Sequence, residues 1–208
     1  MRDSMIIINV LEGDEHQPNI SNITNQAEFY HLKKVEEETV ENIAEFEHAI
    51  SSGGYDYFVL IGHGDEMCFT DNKLFEIEWS EIGEKICNAG CLNDNSILMM
   101  YCCKGGVMEV AFTLFAECKH LAYVFGSKEE MYPIELAIGF NLFMYQLEFK
   151  DLSPELAARK ALEGTDRLFT CYFRNDVLKN PHWHNNYCKD CASAERGYDE
   201  ISDCPDCP

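Results

Sequence analysis

Four short aliphatic runs, each closing on a turn or a polar break, constrain the fold of this chain more than any other feature. MIIINVL (Met5 to Leu11) ends at Gly13, YFVLI (Tyr57 to Ile61) runs into GHGDE, ILMMY (Ile97 to Tyr101) runs into CCKGG, and LAYVF (Leu121 to Phe125) closes at Gly126. Runs this short and this continuously apolar suit strands of a parallel sheet, which are covered by helices on both faces and present no side to water.

The intervening segments carry helical spacing. From Phe29 to Ile50, apolar residues recur at Leu32, Val35, Val40, Ile43, Phe46 and Ile50, with Lys33, Lys34, Glu36, Glu37, Glu41 and Glu45 between them. That pattern predicts one amphipathic helix, stopped by SSGG at 51–54, after an Asn-rich loop from Asp14 to Gln26. Further helices are predicted over Trp79 to Cys87, Val107 to Cys118 and Pro133 to Phe149, where Pro133 sits at a first helical position. Ser153, Pro154 and Glu155 supply a cap, a first-turn proline and a first-turn acid for a helix reaching Leu168. Strands alternating with helices predict an α/β domain with a mainly parallel sheet and helices on both faces.

The helix over 133–149 is apolar almost all round, which predicts burial within the domain and leaves room for a homodimer interface. Beyond about residue 178 apolar periodicity disappears. Residues 1–178 are therefore read as the α/β domain and 179–208 as a small appendage that needs a staple to hold it together.

The charge balance narrows the partners. With 37 Asp and Glu against 16 Lys and Arg, the formal charge is -21, and the field repels phosphate backbones and anionic lipid. Nucleic acid and membrane partners are not expected, whereas a basic peptide is. No apolar run is long enough to span a bilayer, and MIIINVL is followed too soon by Glu12, Asp14 and Glu15 for a signal peptide, so a cytoplasmic location is expected. In a reducing compartment the 11 cysteines point to metal ligands, a catalytic thiol or small buried hydrophobes.

Two constellations carry chemistry. In an open parallel sheet, sites form at the carboxyl ends of strands. His63 follows YFVLIG directly, and Cys102 and Cys103 follow ILMMY, so adjacent parallel strands would bring imidazole and thiol to one sheet edge. A thiolate can attack a carbonyl while imidazole protonates the leaving amine. The backbone N–H groups of Gly64 and Cys103 are placed to form an oxyanion hole. Gly105 and Gly106 allow a tight turn into the next helix, whose N-terminal end favours a thiolate.

The second constellation is Cys188-x2-Cys191 with Cys204-x2-Cys207, the spacing of a four-thiolate zinc knuckle. It predicts a closed structural Zn2+ site, with His182 and His184 as neighbours able to replace one sulfur. The acids around it favour docking onto protein over nucleic acid.

FVLIGHGDEMCF and YCCKGG resemble the histidine loop and nucleophile turn of the caspase-like cysteine peptidases, the group of caspases, metacaspases, gingipains and CHAT domains. YVFGSKEEMYPIELAIGFNLFMYQLEFKDLSPELAARKAL is similar to the end of CHAT domains, so the resemblance runs over roughly residues 5–170. It implies a caspase-like fold, a thiol protease acting on a protein or peptide substrate, and Cys103 rather than Cys102 as nucleophile with His63 as its partner.

The chain departs from the family at two places. Tyr101 stands where metacaspases carry an acid, and Glu12, Asp14 and Glu15 stand where caspases supply an arginine, which argues against aspartate specificity. Glu12, Asp14, Asp65 and Glu66 are instead candidates to receive a Lys or Arg side chain. The competing reading is a catalytically silent module that binds a regulatory protein through its zinc appendage.

Overall fold

A computed structural model describes residues 2–11 and 17–179 of the chain. Within them the chain runs β1 (Ser4–Asn9), α1 (Gln17–Phe29), β2 (Lys34–Thr39), α2 (Ile43–Ala49), β3 (Tyr55–Ile61), β4 (His63–Gly64), β5 (Cys68–Thr70), β6 (Glu76–Glu78), α3 (Trp79–Ala89) and β7 (Leu92–Tyr101). It continues through α4 (Met108–Glu117), β8 (Leu121–Ser127), α5 (Pro133–Met144), a π-helical turn (Tyr145–Phe149), α6 (Pro154–Thr165), β9 (Phe169–Phe173) and α7 (Arg174–Leu178).

The main sheet has the order β2-β1-β3-β7-β8-β9. Its first five strands are parallel, and only β9 pairs antiparallel, against β8. Successive side chains of one strand enter opposite layers, as the period of two demands. Phe58, Leu60, Leu98 and Met100 pack with α2, α3 and α4, while Tyr57, Val59, Ile97 and Met99 pack with α1, α5 and α6. The runs of β3 and β7 are thus buried on both sides, as their composition predicts, and those of β1 and β8 nearly so, with Leu11, Ala122 and Tyr123 half-buried.

Two expectations fail near the N-terminus. Gln17–Phe29 is a helix, not a loop. The single helix expected over 29–50 is instead the edge strand β2 followed by the short helix α2. Spacings of three to five residues suit an amphipathic helix, yet the same stretch holds β-branched Val35, Thr39 and Val40, and β1 offers an unpaired edge. Pairing from Ser4↔Lys34 to Asn9↔Thr39 satisfies that edge, so tertiary context overrides the helical pattern. The Asn42 side chain then caps α2 by accepting from the Glu45 N–H at 3.0 Å.

Three further differences shape the site. The polar stretch after His63 folds as a small antiparallel sheet, β4-β5-β6, anchored by buried Phe69 and Ile77. The helix begun by Pro133 keeps α geometry only to Met144 before the π-helical turn. The helix begun at Pro154 stops at Thr165, where Asp166 adopts a left-handed conformation (φ 55°), and β9 follows. No helix among the described residues is long and apolar enough to cross a membrane.

Candidate active site

Strand register decides where the reactive side chains go. β3 and β7 are direct neighbours with Ile61 opposite Tyr101, so His63 and Cys103 each lie two residues beyond the same rung at the carboxyl edge. The Gly62 N–H still donates to the Tyr101 carbonyl at 3.4 Å, holding the two strand ends together past the last pair. His63 then enters β4 and pairs opposite Thr70, which fixes its loop to the small sheet.

Close approach at Gly64 completes the juxtaposition. A Cβ there would stand 2.9 Å from Cys102 Sγ and 3.0 Å from the Cys103 carbonyl oxygen, so only glycine lets the histidine loop lie this near the cysteine pair. Gly106 is needed for a similar reason, since a Cβ on it would collide with the Gly126 carbonyl oxygen.

The two cysteines differ in environment. Cys102 is fully buried among the apolar side chains under α4, and burial pushes its thiol well above the ordinary range. Cys103 is half-buried and lines a cavity of about 590 Å3 together with His63, Gly64, Asp65, Thr70 and Asn72. The Met131 N–H donates to Cys103 Sγ at 3.4 Å, and the thiol faces the Met131 carbonyl oxygen at 3.7 Å. After Cys103 the chain turns through Lys104 in a left-handed conformation (φ 54°), and the Lys104 N–H donates to the Glu129 carbonyl at 3.3 Å.

The opposite wall, Glu130, Met131, Tyr132, Glu135 and Arg167, was not among the residues singled out from sequence. Its parts come from the β8–α5 loop, the first turn of α5 and the α6–β9 loop. Tyr101 Oη donates to the Pro133 carbonyl at 2.7 Å, tying the end of β7 to the start of α5. Glu135 accepts from the Tyr132 N–H at 2.9 Å and from Arg167 Nε at 2.8 Å, and these bonds hold its carboxyl below the usual range. Arg167 also lies 3.6 Å from Glu129, which accepts from the Leu168 N–H at 3.2 Å. The guanidinium is thus committed to two carboxylates. YVFGSKEEMYP flagged the β8–α5 segment as a strand and turn, but nothing in the local sequence marks Arg167.

The four candidate substrate-binding acids separate. Asp65 lines the cavity, and its Oδ1 accepts from the Cys68 and Met67 N–H groups at 2.9 and 2.7 Å, which lowers its pKa. Glu66 is exposed outside the cavity lining, 3.7 Å from Lys104 Nζ. Glu12 and Asp14 lie outside the described residues, as do His182, His184, Cys188, Cys191, Cys204 and Cys207. Among the described residues no group of three or more His, Cys, Asp or Glu is arranged to hold a metal ion.

Order and direction of the strands, with helices on both faces, define the caspase-like α/β fold, and solved structures of cysteine proteases share it. A secreted C11 cysteine protease from Bacteroides thetaiotaomicron superposes with a TM-score of 0.57 at 9% identity, over 86% of this chain and 68% of its own. A second structure of that kind, iotapain from the same organism, gives a TM-score of 0.62 at 10% identity, over 85% of this chain and 67% of its own. The Arg-specific cysteine proteinase gingipain R gives 0.56 at 14% identity, over 83% of this chain but only 46% of its own. Neither a family model nor a curated protein sequence matches the chain.

Proposed function

We propose that the chain is a cysteine endopeptidase in which Cys103 is the nucleophile and His63 the general acid and base. The observation that carries this reading is the β3–β7 register, which brings both residues to one cleft in a fold shared with cysteine proteases. The Cys103 thiolate attacks the scissile carbonyl carbon, and the carbonyl electrons move onto oxygen. The N–H groups of Gly64 and Cys103 receive that oxyanion. As the C–N bond breaks, His63 gives its proton to the departing amine. Water then attacks the thioester with His63 taking its proton, and the Cys103 sulfur leaves as the acid product forms.

The cleft favours a basic side chain before the cut. Asp65, Glu130 and Glu135 line it, and Arg167, the one Lys or Arg among the described lining residues, is paired to Glu135 and Glu129. Gingipain R, described as Arg-specific, shares the fold. The four C-terminal cysteines, Cys188, Cys191, Cys204 and Cys207, are proposed to hold one structural Zn2+ without a part in turnover.

The test is digestion of a diverse peptide library by the full chain, by Cys103→Ala and by Cys102→Ala. Cleavage after Lys or Arg, lost in Cys103→Ala and kept in Cys102→Ala, is expected. Cleavage that survives in Cys103→Ala would refute the assignment of the nucleophile. Absence of any cleavage, with Cys103 alkylated by iodoacetamide no faster than free cysteine, would favour a binding module.

A further inference from the structure

The residue after the nucleophile places a positive charge at the rim of the cleft, between Glu66 outside the lining and Glu130 within it. Lys104 takes a left-handed backbone conformation and is anchored through its N–H to the Glu129 carbonyl. Its Nζ lies 3.7 Å from Glu66 on the histidine loop and 3.9 Å from Glu130 on the β8–α5 loop. The lysine side chain is one-third exposed, whereas the Glu66 and Glu130 side chains are 63% and 81% exposed, so the ammonium reaches outward from the cysteine turn to both rims. Its field also contributes to the lowered pKa of Asp65, after the bonds from Cys68 and Met67. Among the described lining residues, Asp65 and Glu130 are the two acids not bound to Arg167.

We propose that Lys104 is a specificity-determining residue, an internal counter-ion that occupies in the free protein the acidic ground a basic substrate side chain takes on binding. The proposal rests on the peptidase reading for its substrate but not for its electrostatics. A cationic side chain that pairs with Glu130 must share that carboxylate with the Lys104 ammonium or displace it, and at Asp65 it meets the field of the same ammonium. A neutral side chain meets no such competition. Lys104 therefore limits how strongly the cleft prefers basic over neutral peptides, and removing its charge sharpens that preference. At separations near 4 Å and partial solvent exposure, such a charge changes cation affinity by about threefold to tenfold. The effect shrinks as salt screens the exposed pairs.

The experiment compares wild type, Lys104→Gln and Lys104→Arg as full chains. Two quantities are measured: the ratio of kcat/KM for arginyl over neutral peptide substrates, and the concentration of benzamidine, a small amidinium cation, that halves alkylation of Cys103 by iodoacetamide. A change in intrinsic thiol reactivity alters both substrates alike and cancels in the ratio. Lys104→Gln should raise the ratio and lower the half-protecting benzamidine concentration, each by about threefold to tenfold at low salt. Lys104→Arg should match wild type in both. Half-protection unchanged in Lys104→Gln, or no protection by benzamidine in any variant, overturns the proposal whatever hydrolysis shows. If no variant hydrolyses peptides yet protection tightens in Lys104→Gln, the peptidase reading fails and the counter-ion role stands.

Discussion

Gly64→Ala is the substitution that most directly probes the juxtaposition of the two strand ends. The new methyl would stand 2.9 Å from Cys102 Sγ, 3.0 Å from the Cys103 carbonyl oxygen and 3.3 Å from Cys102 Cβ, where ordinary contact begins at 3.4 Å. None of these neighbours yields easily: Cys102 is fully buried and the carbonyl belongs to the backbone of the nucleophile turn. The His63–Gly64 segment must therefore retreat by about 0.5 Å, which is small for the fold but large for proton transfer. Overpacking of this kind costs about 1–3 kcal/mol of stability, a fall in Tm of roughly 3–10 °C for a domain of this size.

Misplacement by about 1 Å can cost ~100-fold in rate, so half that distance should lower kcat/KM by about tenfold. Steady-state hydrolysis of an arginyl peptide, measured well below the Tm of the variant, reads the effect. Gly90→Ala is the control. Gly90 caps α3 in a left-handed conformation (φ 62°) with nothing within 4 Å of the added methyl, so it should lose about 1 kcal/mol of stability and no activity. If Gly64→Ala keeps kcat/KM within about twofold of wild type, the two loops are not held in catalytic contact, and the reasoning from register to chemistry is wrong.

Acid stability should depend on Asp56, at the start of β3. Burial raises its pKa, but bonds from the Asp3 and Ser4 N–H groups, the Ser4 hydroxyl and Asn93 outweigh burial and leave the carboxyl lowered. Because the folded-state pKa lies below the unfolded value, protons bind the unfolded chain more readily as pH falls. The contribution of Asp56 is thus complete above the ordinary carboxylate range and lost as pH drops through the folded pKa. Asp56→Asn should cost about 1–3 kcal/mol at pH 7 and flatten the acid limb of Tm against pH. An unchanged acid limb would contradict this. For the appendage, the 208-residue chain dialysed against metal-free buffer should retain about one zinc per chain by elemental analysis. Cys204→Ser with Cys207→Ser should remove it, and full zinc retention in that double variant would refute the four-thiolate assignment.

Much of the scaffold was legible because its determinants are local. YFVLI and ILMMY are apolar at every position, and a strand buried on both faces needs nothing more to be recognised. Pro133 and Ser153-Pro154 mark helix starts through their own backbone chemistry, and both helices begin there. His63 and the Cys102–Cys103 pair are legible as candidates because each closely follows a buried strand, whereas the choice of Cys103 over Cys102 rests on the resemblance to caspase-like peptidases. Arg167 was invisible by the same logic, since it matters only through Glu135 and Glu129, which precede it by more than thirty residues.

The sequence by itself determined which segments are buried strands, where several helices begin, and that an imidazole and a thiol stand at strand ends. Only the tertiary structure decided that 34–39 is a strand rather than part of a helix, because its pattern fits either and the free edge of β1 selects one. Only it placed Ile61 opposite Tyr101 and assembled the cleft from four separate chain segments. The physical reason is range. Periodicity and capping act over a few residues along the chain, whereas strand register and cavity walls depend on which distant segments bury their surfaces against one another.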